Sequence, residues 1–176
     1  MGYTDAMKSE QKIVAIGAAF GVIMMALTVL GLSSILPTPH AVTIAERLAL
    51  VLQLNVLAII PFFIMLIAVG NSRFFSDAID PTLHNENTRQ EIDGRVVENT
   101  LQQNFVFLVG TLALSTVLPQ SWLQALYAVT IVFILARVAF WVGYRLHPLY
   151  RAPGMSATAY MNLGIIVSTV YLTFFS

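Results

Sequence analysis

The sequence contains no cysteine and few charged residues. Without cysteine the chain can form no disulfide, no thiolate zinc site and no iron–sulfur cluster, and it offers no thiol nucleophile of its own. Charged residues make up only 10% of the 176 residues, and nine Lys and Arg balance nine Asp and Glu, so no basic surplus favours nucleic acid as a partner. Hydrophobic residues reach 57%, which is too high for a water-soluble domain. We therefore expect an all-α integral membrane protein.

Long apolar runs dominate the sequence instead, and they give five candidate membrane-crossing helices. A helix needs about 20 mostly apolar residues to cross the hydrocarbon core. Four runs have that length, at residues 13–36, 48–69, 122–142 and 157–175. The fifth, residues 105–118, must be extended back to about residue 96, which brings four amide side chains into the membrane: Asn99, Gln102, Gln103 and Asn104.

The first span also has a feature of secretory signals, because Lys8 and Lys12 precede it. Its apolar run is longer than the ~7–15 residues of a signal core and no convincing small-x-small cleavage site is present, so we interpret it as a retained anchor. Gly17 and Gly21 stand at GxxxG spacing within it, which would let another backbone approach closely. Two glycines without any packing role are an equally open alternative.

Basic residues near the ends of the spans predict how the chain is oriented in the membrane. With five spans, seven of the nine basic residues fall on the side of the N-terminus: Lys8, Lys12, Arg73, Arg89, Arg95, Arg145 and Arg151. Arg47 alone falls on the other side, and Arg137 lies within the fourth span. Because basic residues favour the cytoplasmic side, the sequence predicts a cytoplasmic N-terminus and an outward C-terminus.

Two connections differ in length and character. Residues 70–94 form the long polar stretch and hold five acidic residues, which we interpret as a charged loop in preference to a catalytic cluster. Residues 119–121 are so few that spans three and four must form a tight antiparallel hairpin. Counting equal steps from Gln120 places Asn99 opposite Trp141 and Arg95 opposite Arg145.

The hairpin brings together two polar helix faces. Residues spaced three, four or seven apart lie on the same face of a helix. By this rule one face of the third span holds Arg95, Asn99 and Gln102, and one face of the fourth holds Arg137, Phe140 and Tyr144. An ionisable group within a span costs roughly 2.5–3.5 kcal/mol on insertion scales and usually faces protein or water. Arg137 therefore has two interpretations. It is either a structural arginine, which snorkels to the surface or donates to backbone carbonyls and Gln102, or it binds a ligand.

An anionic small molecule would suit the surplus of arginine near these amides, because arginine binds carboxylates in a bidentate fork. Anchoring of Arg145 and Arg151 to anionic lipid is the alternative. The three histidines lie on different connections, so no metal site is expected. In the second span, Pro61 is expected to kink the helix, and Gln53 and Asn55 to hydrogen-bond a neighbouring helix.

Two motifs in adjacent spans resemble the MAPEG family, the membrane-associated proteins in eicosanoid and glutathione metabolism. The third span reads Arg95-Val-Val-Glu-Asn99-Thr-Leu-Gln102-Gln103, similar to the family's Arg-x-x-x-Asn-x-x-Glu pattern. The fourth reads Arg137-Val-Ala-Phe140-Trp-Val-Gly143-Tyr144, followed by Arg151-Ala-Pro-Gly154, similar to its Arg-x-x-Tyr-x-x-Gly-Tyr run and the arginine seven residues beyond. The resemblance covers about residue 48 onward, and the additional first span is most similar to the mattrin-like branch.

The resemblance implies a fold, an assembly and a ligand. The fold would be a MAPEG-like four-helix bundle in residues 45–176, preceded by residues 1–44 as a tail and an extra transmembrane helix. The assembly would be a homotrimer that holds glutathione, as a co-substrate, between neighbouring subunits near the cytoplasmic face. The glutathione-binding residues, carried over by position, would be Arg95, Asn99, Gln102, Arg137, Phe140 and Tyr144.

Two further arginines would take part in chemistry by the same carry-over. Arg151 occupies the place of the arginine that stabilises the glutathione thiolate, and Arg73 loosely matches one that acts on the lipophilic substrate. A nearby guanidinium favours the ionised thiol and lowers its pKa, which produces the nucleophile. The function implied is a glutathione transferase or peroxidase acting on a lipophilic electrophile or lipid hydroperoxide from the membrane. A non-catalytic regulatory or lipid-binding protein is the alternative, and it fits Gln102 and Phe140, where the family has glutamate and tyrosine.

Overall fold

The computed structural model describes the backbone of residues 2–175 and the side chains of residues 7–80 and 82–175. The described backbone is almost entirely helical and contains no β-strand. Its six α-helices are α1 (Gly2–Ile35), α2 (Ile44–Ala58), α3 (Ile60–Phe74), α4 (Thr88–Val117), α5 (Gln124–Leu146) and α6 (Ala152–Phe174). The prediction of an all-α protein is confirmed.

Four helical segments are long and apolar enough to cross a membrane: Met7–Ile35, Ile44–Phe74, Gln120–Leu146 and Pro148–Phe174. The second of these combines α2 and α3. With 30 residues α4 is also long enough to cross, but its first half is too polar for composition alone to identify it as a span. Four spans therefore follow from length and composition, and a fifth, through α4, stays a prediction.

The second segment is broken between α2 and α3, as the sequence predicted. Pro61 lies in the first turn of α3 and has no N–H to donate to the preceding turn, which interrupts the hydrogen-bond pattern between the two helices. One turn earlier, Asn55 donates a hydrogen bond to Thr111 Oγ1 on α4, at 3.1 Å. Gln53, in contrast, is exposed and bonds no other helix within the described part of the chain. The expectation for Asn55 is confirmed, and that for Gln53 is wrong within a single chain.

The polar connection between α3 and α4 is shorter than the sequence suggested. Only residues 75–87 lie outside the α-helices, because Asn87 caps α4 in a reciprocal pair of hydrogen bonds with Gln90. Residues 88–94, which we expected in a charged loop, are therefore the first two turns of α4. This correction moves Asp93 from a loop onto a helix that faces α5.

At the opposite end of the bundle, α4 and α5 are joined by the tight turn that their short connection requires. We call this the hairpin end, and the other end, near Lys12 and Arg145, the basic end. Arg47, the lone basic residue of the hairpin end, donates to the carbonyl oxygens of Ser115 and Leu118, at 3.3 and 2.7 Å. A cation there satisfies the free carbonyl groups at the end of α4 and favours the helix dipole.

The additional first helix packs against α6 through two of its glycines, Gly17 and Gly21. A Cβ built on Gly17 would lie 3.3 Å from the Ala152 Cβ, and one on Gly21 would overlap the backbone of Pro153. Ser156 on α6 donates a hydrogen bond to the carbonyl oxygen of Ala18, at 3.0 Å. The GxxxG pair therefore does permit the close approach that its spacing suggested, and its partner is α6 of the same chain.

Replacing Gly21 with alanine is expected to destabilise the protein by about 1–3 kcal/mol, because the new methyl group has no room against Pro153. The matched control is Gly31→Ala in the same helix, where a Cβ meets no atom within 4 Å. That change should be neutral or slightly stabilising, since alanine favours helix over glycine. Thermal unfolding in detergent, followed by circular dichroism, measures both, and equal midpoints for the two variants would contradict the packing described.

Candidate functional site

Arg137 is the centre of the polar interior. Its side chain is completely buried, at 0% exposure, although it carries a charge. Its guanidinium donates to Asn99 Oδ1 on α4 at 2.9 Å, to the carbonyl oxygen of Gly154 on α6 at 3.1 Å, and to the hydroxyl of Thr158. It also lies 4.6 Å from the centre of the Phe140 ring, within range of a cation–π contact. One side chain thus ties α4, α5 and α6 together.

Gly154 makes this arrangement possible. A Cβ at that position would lie 2.5 Å from the backbone nitrogen of Phe140 and 2.6 Å from the carbonyl oxygen of Ala136. Only glycine lets α6 approach α5 so closely that its carbonyl group reaches the guanidinium. Of the two interpretations of Arg137, the structure contains the contacts of the structural one, with Asn99 as the amide partner and not Gln102.

The three predicted ligand residues of α4 do not share one environment. Asn99 is half-buried against α5, whereas Arg95 and Gln102 are exposed on the outer surface of the chain. Glu98 is exposed beside them. Arg95, Glu98 and Gln102 therefore form a polar strip, which faces away from the bundle of a single chain. The amide nitrogen of Asn99 makes no hydrogen bond within the described residues, because only its oxygen contacts Arg137.

Asp93 forms the second polar centre, which the sequence reasoning missed. Its carboxylate is 2% exposed and accepts two hydrogen bonds from Arg145, at 2.7 and 2.6 Å, and one from the Trp141 indole at 2.8 Å. The Arg145 guanidinium also lies 4.3 Å from the centre of the Trp141 indole ring. Arg145 is therefore paired and does not belong to a surplus of free cations. The equal-step count, which set Arg95 opposite Arg145, was wrong by two residues.

Two opposing effects set the pKa of Asp93. Burial alone would raise the pKa of this carboxyl group, but the hydrogen bonds from Arg145 and Trp141 and the charge of Arg145 outweigh burial and hold the pKa below its ordinary value. Asp93 is consequently ionised near neutral pH, and its ion pair with Arg145 is intact there.

The two arginines assigned to chemistry lie in different surroundings. Arg73 forms an ion pair of 3.0 Å with Glu86, from the connection that precedes α4. Arg151, at the start of α6, has no carboxylate partner among the described residues and lies 4.9 Å from the centre of the Tyr144 ring. Tyr144 itself is buried. The structure thus brings together Arg151 and Tyr144, and Arg137 with Phe140 and Asn99, while Arg73, Arg95 and Gln102 lie apart from these contacts in one chain.

The missed residues differ in how well the sequence signalled them. Thr158 lies four residues after Gly154, so a helix places both on one face, but nothing in the sequence says that α5 lies opposite. Asp93 is seven residues before Thr100 and on the same face, a periodicity that was hidden by its charged neighbours. Within the described residues, no group of three His, Asp or Glu side chains is arranged to hold a metal ion.

Comparison with known proteins supports the membrane assignment. The chain is 28% identical over 137 residues to mouse transmembrane protein 79, which covers 77% of this chain and 34% of the relative. It is 26% identical over 165 residues to the bovine protein of the same name, covering 92% of this chain and 41% of the relative. The chain thus spans between about a third and two-fifths of the relatives it matches. No family model and no solved structure matches it. With its four long apolar helices, this chain is an integral membrane protein.

Asp93→Asn is expected to lower the free energy of unfolding by about 1–3 kcal/mol, because it leaves the partly buried Arg145 without a carboxylate. The control is Glu86→Gln, which removes the partner of Arg73. The side chains of Arg73 and Glu86 are 33% and 13% exposed, whereas those of Arg145 and Asp93 are 27% and 3% exposed. Because the control pair is more exposed, its loss should cost less than about 1 kcal/mol. Thermal unfolding at pH 7 compares the two, and a smaller effect for Asp93→Asn than for Glu86→Gln would contradict the assignment.

The same pair predicts a dependence on pH. Since the folded pKa of Asp93 lies below its unfolded value, its stabilising contribution is full above roughly pH 4 and is lost as the pH falls through the folded pKa. The difference in stability between the wild type and Asp93→Asn should therefore narrow in acid. A difference that stays constant or widens down to pH 3 would contradict the direction of the shift.

Proposed function

We propose that this chain is a five-span, MAPEG-like membrane protein that binds glutathione between the subunits of a homotrimer. The observation that carries the proposal is the exposed polar strip on α4, formed by Arg95, Glu98 and Gln102. Glu98 and Gln102 lie within the proposed fifth span, which starts at about residue 96, and Arg95 lies at its edge. Charged and polar side chains within a span are costly and normally face protein or water. A second copy of the chain, together with a polar ligand, would cover this strip.

The side chains around the strip fit the chemical groups of glutathione. This tripeptide has two carboxylates, one ammonium group, two amides and a thiol. Arg95 and Arg151 have no carboxylate partner in the described chain and would pair with the carboxylates or the thiolate. Glu98 would take the ammonium group, in place of the glutamate that the family has where this chain has Gln102. The free amide nitrogen of Asn99 would donate to a peptide carbonyl group.

Arg151 is the residue we assign to the chemistry of the thiol. Its guanidinium lies over the Tyr144 ring and is half-buried, so its charge is less screened than at an open surface. A positive charge there would lower the pKa of the glutathione thiol and hold the thiolate. The thiolate sulfur would then form a bond to an electrophilic carbon of a lipophilic substrate from the bilayer. The bond from that carbon to a leaving group would break and the group depart as an anion, or, at an activated double bond, the displaced electron pair would take a proton from water. With a lipid hydroperoxide, two glutathione molecules would be oxidised to the disulfide, and the hydroperoxide reduced to alcohol and water.

The orientation belongs to this proposal. We place the basic end of the bundle, the N-terminus and the glutathione site at the cytoplasmic side, and the C-terminus outside, because the basic residues of the connections concentrate at that end. Arg47, the exception, is occupied as the cap of α4. Its structural role explains why one basic residue lies at the opposite end.

Glutathione added to the detergent-purified protein is expected to produce the ultraviolet absorption of a thiolate near neutral pH, because Arg151 stabilises the ionised thiol. The band should disappear in Arg151→Ala and persist in Arg89→Ala, which removes an exposed arginine at the same end of the bundle without touching Tyr144. Absence of both a band and calorimetric binding in the wild type would overturn the proposal.

Exchanging Gln102 for glutamate is expected to tighten glutathione binding by up to about tenfold, since it adds a charged partner for the ammonium group. Gln102→Leu should weaken binding. Isothermal calorimetry measures both, and native mass spectrometry of the same samples should give about 58 kDa, three times the 19.3 kDa of one chain. A monomeric mass, or equal affinities for the Glu and Leu variants, would contradict a site between subunits.

A second candidate function is favoured by the contacts of Arg137. Its guanidinium is already bonded to Asn99, Gly154 and Thr158, and the side chain is completely buried, so a ligand has little access to it. The alternative is a non-catalytic membrane protein that keeps the fold for a regulatory or lipid-binding role. Glutathione binding without turnover of any lipophilic electrophile or hydroperoxide would favour a regulatory protein. Turnover that disappears when Arg151 is replaced would exclude the regulatory alternative.

A further inference from the structure

A separate cavity lies at the hairpin end of the bundle, away from the arginines described above. Its volume is about 580 Å³, in the range of cavities that hold small ligands. It lies between α1, α5 and α6 and reaches the end of α4 at Leu118. None of the residues that line it is charged, and its few polar atoms belong to Ser168, Trp122 and the two tyrosines Tyr160 and Tyr171. We call this cavity the slot.

The slot is elongated along α6. Its α6 residues run from Tyr160 to Leu172, which corresponds to about 18 Å of helix. The hydrocarbon of one leaflet is about 15 Å thick, half of the bilayer core. At its end the slot reaches Pro119 and Trp122, in the turn of the hairpin, and tryptophan prefers the boundary between hydrocarbon and headgroups. The slot thus has the length and direction of one lipid chain in one leaflet.

Gly164 forms an opening in the wall of the slot. A Cβ built there meets no atom within 4 Å. Glycine in the interior of a helix costs about 1 kcal/mol relative to alanine. Gly21, Gly110 and Gly154 are required by close packing against a neighbouring helix, whereas Gly164 touches nothing. Its missing side chain therefore provides free space and does not serve a helix contact.

The additional first helix builds the opposite wall. Close packing at Gly21 holds α1 against α6 near the basic end. Towards the hairpin end, the larger side chains of Met25 and Val29 face the slot and keep α1 at a distance. The slot lies where these larger side chains, and not glycines, separate the two helices. It lies within one chain, so it differs in place and composition from the proposed glutathione site.

We propose that the slot binds one acyl chain of a membrane phospholipid. The uncharged walls match a hydrocarbon chain and exclude a charged headgroup, which would remain at the surface beyond Trp122. Water does not occupy an apolar cavity stably, and an empty one would forfeit the dispersion contacts of its walls. The surrounding segments are those long and apolar enough to cross the bilayer, so lipid chains are the molecules next to the opening.

The test uses the full chain in detergent with added dioleoylphosphatidylcholine, measured by native mass spectrometry. The wild type should retain one phospholipid per chain, and Gly164→Leu, whose side chain would enter the slot, should retain at least fivefold less. Gly31→Leu is the matched control, because Gly31 is also open to its surroundings but does not line the slot. It should retain lipid like the wild type. Circular dichroism and size-exclusion chromatography establish that both variants are folded.

Three results would overturn the proposal. The first is lipid retention by Gly164→Leu equal to that of the wild type. The second is preferential retention of cholesterol when cholesterol and phospholipid are supplied in equal amounts. The third is a change of oligomeric state in Gly164→Leu without loss of lipid, which would mean that a second copy fills the slot. Should Gly164→Leu fail to fold, the smaller Gly164→Val takes its place, with an intermediate loss expected.

Discussion

The buried guanidinium of Arg137 is the interaction on which the rest of the bundle depends. A charge in the interior of a membrane protein is costly unless it is hydrogen-bonded, and here the partners of Arg137 come from the two helices that flank α5. Asn99 fixes α4 relative to α5, and Gly154 and Thr158 fix α6. Apolar packing such as the stacked pair Phe107 and Phe133, with ring centres 4.3 Å apart, supplies attraction but little direction. The arginine supplies the direction, because its donors are in a rigid plane.

The ion pair of Arg145 with Asp93 stabilises the basic end of the bundle in a different way. Arg145 is matched by a full negative charge on Asp93, while the partners of Arg137 are neutral. The pair near the surface can therefore respond to acid, and the interior one has no carboxylate to protonate. Any ligand that approaches the polar strip of α4 meets a scaffold that is already internally balanced. Its own charges would pair with Arg95, Glu98 and Arg151, which have no such partners.

The sequence predicted the helical class and a kink at Pro61, because each depends on local chemistry or on residue type alone. It offered the close approach at Gly21 as one of two alternatives. It failed for Asp93, since charge density marks a loop and the start of a polar helix equally well. The partners of Arg137 on α6 were also missed. The periodicity of a sequence predicts which residues share a helix face, but not which helix packs against that face. Here the close packing at Gly154 places α6 against α5. The ligand, the trimer and the orientation stay predictions, because they depend on groups outside one chain.

The contact between α1 and α6 has a consequence for biogenesis. These two helices are separated by more than a hundred residues, so α1 enters the bilayer long before the ribosome has made its partner. Until then its glycine surface faces lipid, and the groove near Pro153 does not yet exist. The contact between α1 and α6 can therefore form only after α6 has left the insertion machinery. Premature termination anywhere before α6 would leave the first helix without its docking surface and expose it to membrane quality control.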